Sequence, residues 1–368
     1  MSETSKHIVL LTSEFPPLPG GIGNHAYNFA EYLSDLGYQV SVIADQRDTS
    51  RNEKEFDSQL KSKIHRVAIT SPRFLMYLKR IWNCYKLSKS ADKLICSGKF
   101  PLWIGAILKP FISVELIAVI HGTEVNFSNS RLRKSINWSL KRFDKVIAVS
   151  NFTKSLVGDL DLKQVKVIPN GYSPSESDSY IDSEIQIEGN PKLLTVGNVT
   201  KRKGQANVIR HLPKLKEIYP NVHYHCVGFK TEAEYLLTLA KSLDVSKHVT
   251  FHGHLSHGQL NQFYENSDIC VMLSQNTETG DVEGFGIALI EANHFGLPTI
   301  GSKSCGIEDA ILDKNSGLLV DREDTSAFIN AIGSILNNKT HYTEQAKLWA
   351  EQHQWSHVIK QYVDYIEA

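Results

Sequence analysis

Short apolar runs alternate with amphipathic stretches along most of the chain. In the first half the runs predict strands at 8–13 (IVLLTS), 39–44 (QVSVIA), 92–97 (DKLICS), 115–121 (ELIAVIH), 145–150 (KVIAVS) and 165–169 (VKVIP). Several are apolar on both faces, the pattern of parallel strands covered by helices on each side. Between the first two, Ile22, Ala26, Phe29, Leu33 and Leu36 recur at helical spacing, and Gly37 supplies a stop. Residues 172–191 are rich in Ser, Asp and Glu without periodicity and read as a linker or surface insertion. The alternation restarts at 192–197, 223–228, 249–253, 268–274, 298–302 and 317–320, and the chain closes on an amphipathic helix, WSHVIKQYVDYIE. Two successive βαβ series predict an α/β protein of two doubly wound domains with a cleft between them. A length of 368 residues fits two domains.

Composition and charge narrow the class. No apolar run reaches the roughly 20 residues that span a bilayer. The start, MSETSKHIVLLTSEFPP, lacks a basic leader region and a small-residue cleavage site, so a first strand is expected there and not a signal peptide. Five widely spread cysteines without a CxxC indicate neither a disulfide framework nor a zinc site, and a cytoplasmic setting is expected. The net charge of zero hides an asymmetry: residues 1–170 hold 24 Lys/Arg against 15 Asp/Glu, and residues 171–368 hold 16 against 25. A basic half predicts an anionic partner. Nucleic acid is set aside because no recognised nucleic-acid module occurs.

In doubly wound folds ligands bind beyond the carboxyl ends of the strands. EFPPLPGGIGNH leaves the first strand and enters the first helix. Gly20 and Gly21 would let backbone approach a ligand where a helix start offers free N–H groups, although a tight turn would use the same glycines. The segment is neither a GxGxxG fingerprint nor a Walker A loop. VGNVTKRKGQ leaves the first strand of the second series. Arg202 and Lys203 beside Gly204 suit a pyrophosphate, or form a solvated basic turn. In EGFGIALIEA, Glu283 precedes the glycine pair Gly284 and Gly286, and Glu291 lies eight positions on, about two helical turns along. Two carboxylates can accept paired hydrogen bonds from vicinal diols, and the glycines expose an anion nest. These are the parts of a nucleotide-sugar site. Alternatively, Glu283 caps a helix and Glu291 is solvated.

Together EFPPLPGG, HG, VSNFT, IPNG, VG…KRKG, FHG, DVEGFGIALIEA and the closing W…V…Y resemble the retaining GT-B glycosyltransferases of family 4, along nearly the whole chain. The DVEG form is most similar to members that transfer mannose and related sugars to phosphorylated lipid acceptors, the phosphatidylinositol mannosyltransferases among them. The resemblance implies an acceptor domain over 1–171, a linker over 172–191, a nucleotide-sugar domain over 192–350, and a terminal helix, 351–368, that crosses back to the first domain. It implies that Glu291 holds the ribose, that Glu283 binds the transferred sugar near its 3-hydroxyl, and that Phe285 and Gly286 offer N–H groups to sugar and phosphate. Lys203 would neutralise the diphosphate, with Gly253 and Ile287 also on the donor side. His121 would touch the sugar near the reacting centre. Gly20 and Gly21 would face the diphosphate and the acceptor, and Glu14 the acceptor. His25 either lines the acceptor side or is a surface histidine. Relatives carry an arginine where this chain has Asn198, so Arg202 is the candidate to replace it.

The expected activity is metal-independent transfer of a mannose- or glucose-type sugar, with retention, from a GDP- or UDP-type donor to a glycan or lipid-linked acceptor in cell-envelope or lipopolysaccharide synthesis. No cofactor is implied, and no Asp/Glu/His cluster has the spacing of a metal site. The segments 72–89 and 131–145 mix cations with aromatics, the pattern of a helix lying on an anionic membrane or of a core-facing helix with a solvated basic face. The first would put the protein on the inner face of the cytoplasmic membrane. Two rivals remain: a nucleotide-sugar epimerase on the same architecture, and a degenerate scaffold that binds without transferring.

Overall fold

A computed structural model describes residues 5–18, 20–48, 52–174 and 185–368. The chain divides into two units, Met1–Gly171 with Trp355–Ala368, and Tyr172–Gln354.

The first unit is a parallel sheet with helices between its strands. The elements run β1 (His7–Thr12), α1 (Gly21–Asp35), β2 (Gln39–Gln46), α2 (Asn52–Ser58), β3 (Lys63–Ala68), α3 (Arg73–Ser88), β4 (Lys93–Ser97), α4 (Lys99–Leu108), β5 (Glu115–Ile120), α5 (Ser130–Leu140), β6 (Lys145–Ala148), α6 (Asn151–Ser155) and β7 (Val165–Val167). The strand order is β3-β2-β1-β4-β5-β6-β7. The apolar runs become the inner strands: Ile8 to Leu11 and Leu116 to Ile120 are all but inaccessible. The strand absent from the expectation is β3, KIHRVA, which pairs only with β2. An edge strand buries little, so its cations conceal it from an apolar-run search.

The second unit repeats the plan: β8 (Lys192–Val196), α7 (Gln205–Ile218), β9 (His223–Val227), α8 (Ala233–Ser242), β10 (Val249–Gly253), α9 (His257–Asn266), β11 (Ile269–Met272), α10 (Ile287–His294), β12 (Thr299–Ser302), β13 (Gly317–Val320), α11 (Thr325–Asn337) and α12 (Lys339–Gln352). Its order is β10-β9-β8-β11-β12-β13, again parallel throughout. Leu193, Leu212, Tyr224, Val271, Ile300 and Phe328 are core residues of this unit.

The ends of the stretch expected as a linker belong to the second unit. Tyr172 bridges to Gln354, and Asn190 to Asn221. Ile185 N donates to Gln262 Oε1 at 2.8 Å. The middle of that stretch, 175–184, lies outside the described residues. The single helix expected over 351–368 is two elements: α12 ends at Gln352 and α13 (Trp355–Glu367) follows. Helix α13 joins the first unit and packs on α1, with Tyr362 against Phe29 at 4.9 Å between ring centroids. Gly171 makes room for it, since a Cβ there would lie 2.8 Å from the Trp355 ring.

Strand order reverses between β1 and β4 in one sheet and between β8 and β11 in the other. Loops that part on either side of such a reversal leave a crevice, the usual ligand site of this fold class.

Candidate active site

In the second unit the loops after β8 and β11 meet in a knot of charge. Gly204 is left-handed (φ 77°), and a Cβ there would lie 1.8 Å from Leu273 O. Only glycine fits, so the KRKG turn is pressed against the end of β11. Gln275 N donates to Arg202 O at 3.0 Å and holds the same turn. The side chains of Arg202 and Lys203 then converge on Glu283. Arg202 Nη1 donates to Glu283 Oε2, Lys203 Nζ lies 2.8 Å from that oxygen, and Arg202 Nε lies 3.2 Å from Asp281 Oδ2. Gly197 (φ 140°) leaves space for the lysine stem, since a Cβ there would lie 2.9 Å from Lys203 Cε. Glu283 is buried. Burial pushes its carboxyl up, but the two cations outweigh burial and hold it below the usual carboxylate range.

Glu291 follows along α10. Its Oε2 accepts from Tyr264 Oη at 3.2 Å. Burial raises this carboxyl, against the opposing pull of Tyr264, Lys203 and His257. Gly286 is the left-handed N-cap of α10 (φ 90°), with no side-chain cap on the helix start. The first N–H groups of α10, beginning at Ile287, therefore point at whatever lies before the helix. Phe285 is buried, backbone included.

Two expected donor residues stand apart from this knot. Asn198 is exposed, and it engages the turn through its carbonyl, which accepts from Gln205 Nε2 at 3.2 Å. Gly253 ends β10, the edge strand, and its carbonyl accepts from Gly228 N at 2.9 Å.

The first unit gathers a different set. Glu14 follows β1, and a Cβ on Gly20 would lie 2.3 Å from its Oε2, so the glycine is what lets the carboxylate fold over the start of α1. Among the described residues nothing lies within 4 Å of a Cβ added at Gly21. His121 follows β5. Its Nε2 lies 2.9 Å from Ser97 Oγ at the end of β4, and its backbone N–H donates to Glu124 Oε1 at 2.5 Å. Burial holds the His121 imidazole down to about 4, so it is neutral at pH 7 and serves as an uncharged hydrogen-bonding group. Burial lifts Glu124 to about 7. Of the two expectations for His25, the surface histidine is the one the structure corrects. It is 5% exposed, and its Nε2 is bonded to Tyr362 Oη at 2.8 Å.

Ser97, Glu124, Tyr264, Asp281 and Tyr362 were not singled out in the sequence. Glu124 stands three places after His121 and Asp281 two before Glu283, so a search for acids near the two expected centres finds both. Ser97 and Tyr264 come from other elements and carry no local signal, while Tyr362 belongs to the closing W…V…Y, which does not disclose its partner.

Comparison with known proteins agrees with this architecture. The family model Glycosyl transferases group 1 matches residues 177–354, and Glycosyltransferase Family 4 matches 19–176. A GDP-mannose-dependent alpha-(1-6)-phosphatidylinositol monomannoside mannosyltransferase of Mycolicibacterium smegmatis is 25% identical over 350 residues, 89% of each chain. A glycogen synthase of Mycobacterium tuberculosis is 22% identical over 90% of this chain and 86% of its own. Among solved structures, Anabaena HepE in complex with UDP and glucose superposes with a TM-score of 0.80 at 19% identity, over 98% of this chain and 99% of that one. The chain belongs to the GT-B glycosyltransferases of family 4, with the two Rossmann-like units of that fold.

Proposed function

We propose that this chain is a retaining hexosyltransferase that works without a metal ion. It moves a mannose- or glucose-type sugar from a GDP- or UDP-sugar to a glycan or lipid-linked acceptor, in cell-envelope polysaccharide or glycolipid synthesis. The observation that carries this reading is the Glu283 carboxylate held between Lys203 and Arg202. Two cations at the reversal point of the second sheet suit a diphosphate, and the carboxylate beside them is held ionised, ready to accept from sugar hydroxyls. Glu291 is the ribose-binding carboxylate, and the open start of α10 faces the phosphates.

In transfer, the acceptor oxygen bonds to the anomeric carbon on the face from which the diphosphate leaves. The acceptor proton passes to a leaving phosphate oxygen. Lys203 and Arg202 stabilise the charge that develops on the diphosphate. His121, neutral, hydrogen-bonds the sugar at the reacting centre. Glu14 and Gly20 serve the acceptor, and Gly21 the diphosphate.

The acceptor's setting is read from α3. Phe74, Leu78 and Trp82 follow one another at four-residue spacing and are 58%, 55% and 58% exposed. Arg73, Lys79, Lys86 and Lys89 are exposed around them. Arg80 is not part of this basic face: it is buried and bonded to Asp45. Apolar and aromatic side chains among cations fit the headgroup layer of an anionic bilayer. Flotation with phosphatidylglycerol vesicles, lost in Trp82→Ala, is the expected result, and equal binding to neutral vesicles would remove the membrane role.

The test of donor binding is thermal unfolding with UDP, GDP, ADP and their sugars. At a hundred times its dissociation constant a nucleotide stabilises by about 2.7 kcal/mol. One nucleotide should raise the midpoint, and Glu291→Ala should lose most of that rise. Conversion of the donor alone to another sugar would favour an epimerase. Binding without any product on a panel of acceptors would favour a scaffold.

A further inference from the structure

We infer that His25 and Tyr362 are positioning residues for His121, so that the last helix of the chain helps to set the reacting histidine of the first unit. The inference rests on the role proposed above for His121.

His121 has few restraints of its own. One ring nitrogen meets Ser97 Oγ, and its backbone N–H is held by Glu124. A single ring hydrogen bond leaves an imidazole free to rock about its Cβ–Cγ bond. The ring is also met by His25, which stands edge-on to His121 with centroids 5.0 Å apart and planes at 81°. That ring has no slack. Tyr362 Oη holds its Nε2 at 2.8 Å, Trp355 stands edge-on at 5.2 Å, and Phe29 is stacked at 6.0 Å. Two of these three partners, Tyr362 and Trp355, belong to α13.

Packing alone does not account for a histidine here. Among the described residues His25 Nδ1 is buried without a hydrogen-bond partner, a cost that a phenylalanine in the same aromatic surroundings would avoid. What histidine adds is a directional bond to Tyr362, and that bond fixes the angle of the edge that meets His121. Tyr362 is itself inaccessible, so its hydroxyl is directed at His25 and not at solvent. The two bonded side chains lie 337 positions apart in sequence, and the fold uses that closure to bring α13 against the ring that meets the reacting residue.

The experiment compares wild type with Tyr362→Phe, which keeps the ring and removes the hydroxyl. With histidine labelled in 15N, the ring nitrogens of His121 are identified by their loss in His121→Asn. The expected result is a displaced pair of His121 ring signals, with kcat lowered about tenfold and the donor KM within about twofold, as for a misplaced rather than a missing group. A purely structural tyrosine would lower the melting midpoint and leave both the His121 signals and kcat where they were, which overturns the inference. Displaced signals with an unchanged kcat overturn it equally. His25→Gln is the second variant, expected to displace the same signals, and it decides the matter if Tyr362→Phe does not fold. If wild type transfers no sugar to any acceptor, the proposed function fails; the ring signals still show whether Tyr362 sets His121.

Discussion

The two units share a winding plan and differ in what they collect at its reversal point. The first unit belongs to the basic half of the chain, yet the end of β4 and the loop after β5 bring together an imidazole kept neutral, a buried acid and a serine. The second belongs to the acidic half, yet the loops after β8 and β11 bring two cations onto one carboxylate. Net charge therefore misdirects a search for the anion site. Much of the surplus of the first half sits on the exposed faces of α3 and α5 and just past their ends, at Arg73, Lys79, Lys86, Lys89, Arg131, Lys134 and Lys141. That is surface potential, felt by an extended partner over a Debye length of about 8 Å. The pair in the second unit is local, partly buried and weakly screened, which suits a small ligand.

The contrast is broken most severely by Glu283→Gln. The variant keeps shape and loses charge, so Arg202 and Lys203 stand side by side without their shared anion. Transfer should fall about a thousandfold, and the melting midpoint should drop as a partly buried pair is broken, at a cost of about 3 kcal/mol. Nucleoside diphosphate should still stabilise the variant at least as well as wild type, because the cations are released to it. His121→Asn is the matching change in the first unit, expected to cut kcat about a hundredfold while leaving nucleotide binding as it was. If both variants lose nucleotide binding alike, the division of labour between the units is wrong.

Acid acts on the two units unequally. In the second, burial holds His223, His225 and His252 each down to about 4. They form a run in which His223 stacks on His225 at 4.6 Å and His225 Nδ1 meets His252 Nε2 at 3.0 Å. The unfolded chain takes up these protons near pH 6.5 and the folded unit only near 4, so stability present above pH 6.5 is lost as pH falls through that window. In the first unit His121 behaves likewise, but Glu124, lifted to about 7, has the opposite sign. The folded state binds its proton first, so between pH 7 and 4.5 the gain from Glu124 offsets the loss from His121. Hydrogen exchange from pH 7 to 5 should therefore show β9 and β10 losing protection before β4 and β5. Uniform loss would mean that the three histidines are not the acid-sensitive element.

How far the sequence speaks depends on whether a feature is local. The strands of both sheets are apolar runs and were legible, with the polar edge strand β3 the exception. Glu283, Arg202 and Lys203 were legible as members of short motifs. Their pairing was not, because the two motifs lie about eighty positions apart and meet only through the left-handed Gly204 against Leu273 O. The burial of His25 was hidden for a similar reason. On α1 it reads as one more helix histidine, and the helix that buries it ends the chain.

The smallest effect, and the finest test of the contrast, concerns Asn198. Family resemblance expects an arginine there, and its absence would leave the second unit with one phosphate cation fewer. Arg202 supplies a guanidinium from four residues on, oriented by Asp281 and by the fixed turn. If that guanidinium fills the role, Asn198→Arg adds a second one beside it. Two guanidiniums crowded on one diphosphate gain little, and the dissociation constant for the nucleoside diphosphate should improve by no more than about threefold, under 1 kcal/mol. In an Arg202→Ala background the same substitution should recover about tenfold, since a charge-assisted bond is then restored where none remains. Calorimetric titration of wild type, the two single variants and the double variant gives the coupling between the positions directly. A gain of tenfold or more from Asn198→Arg alone would show that Arg202 is engaged with the acids and not with phosphate, and that the charge knot of this unit is a structural tie around Glu283.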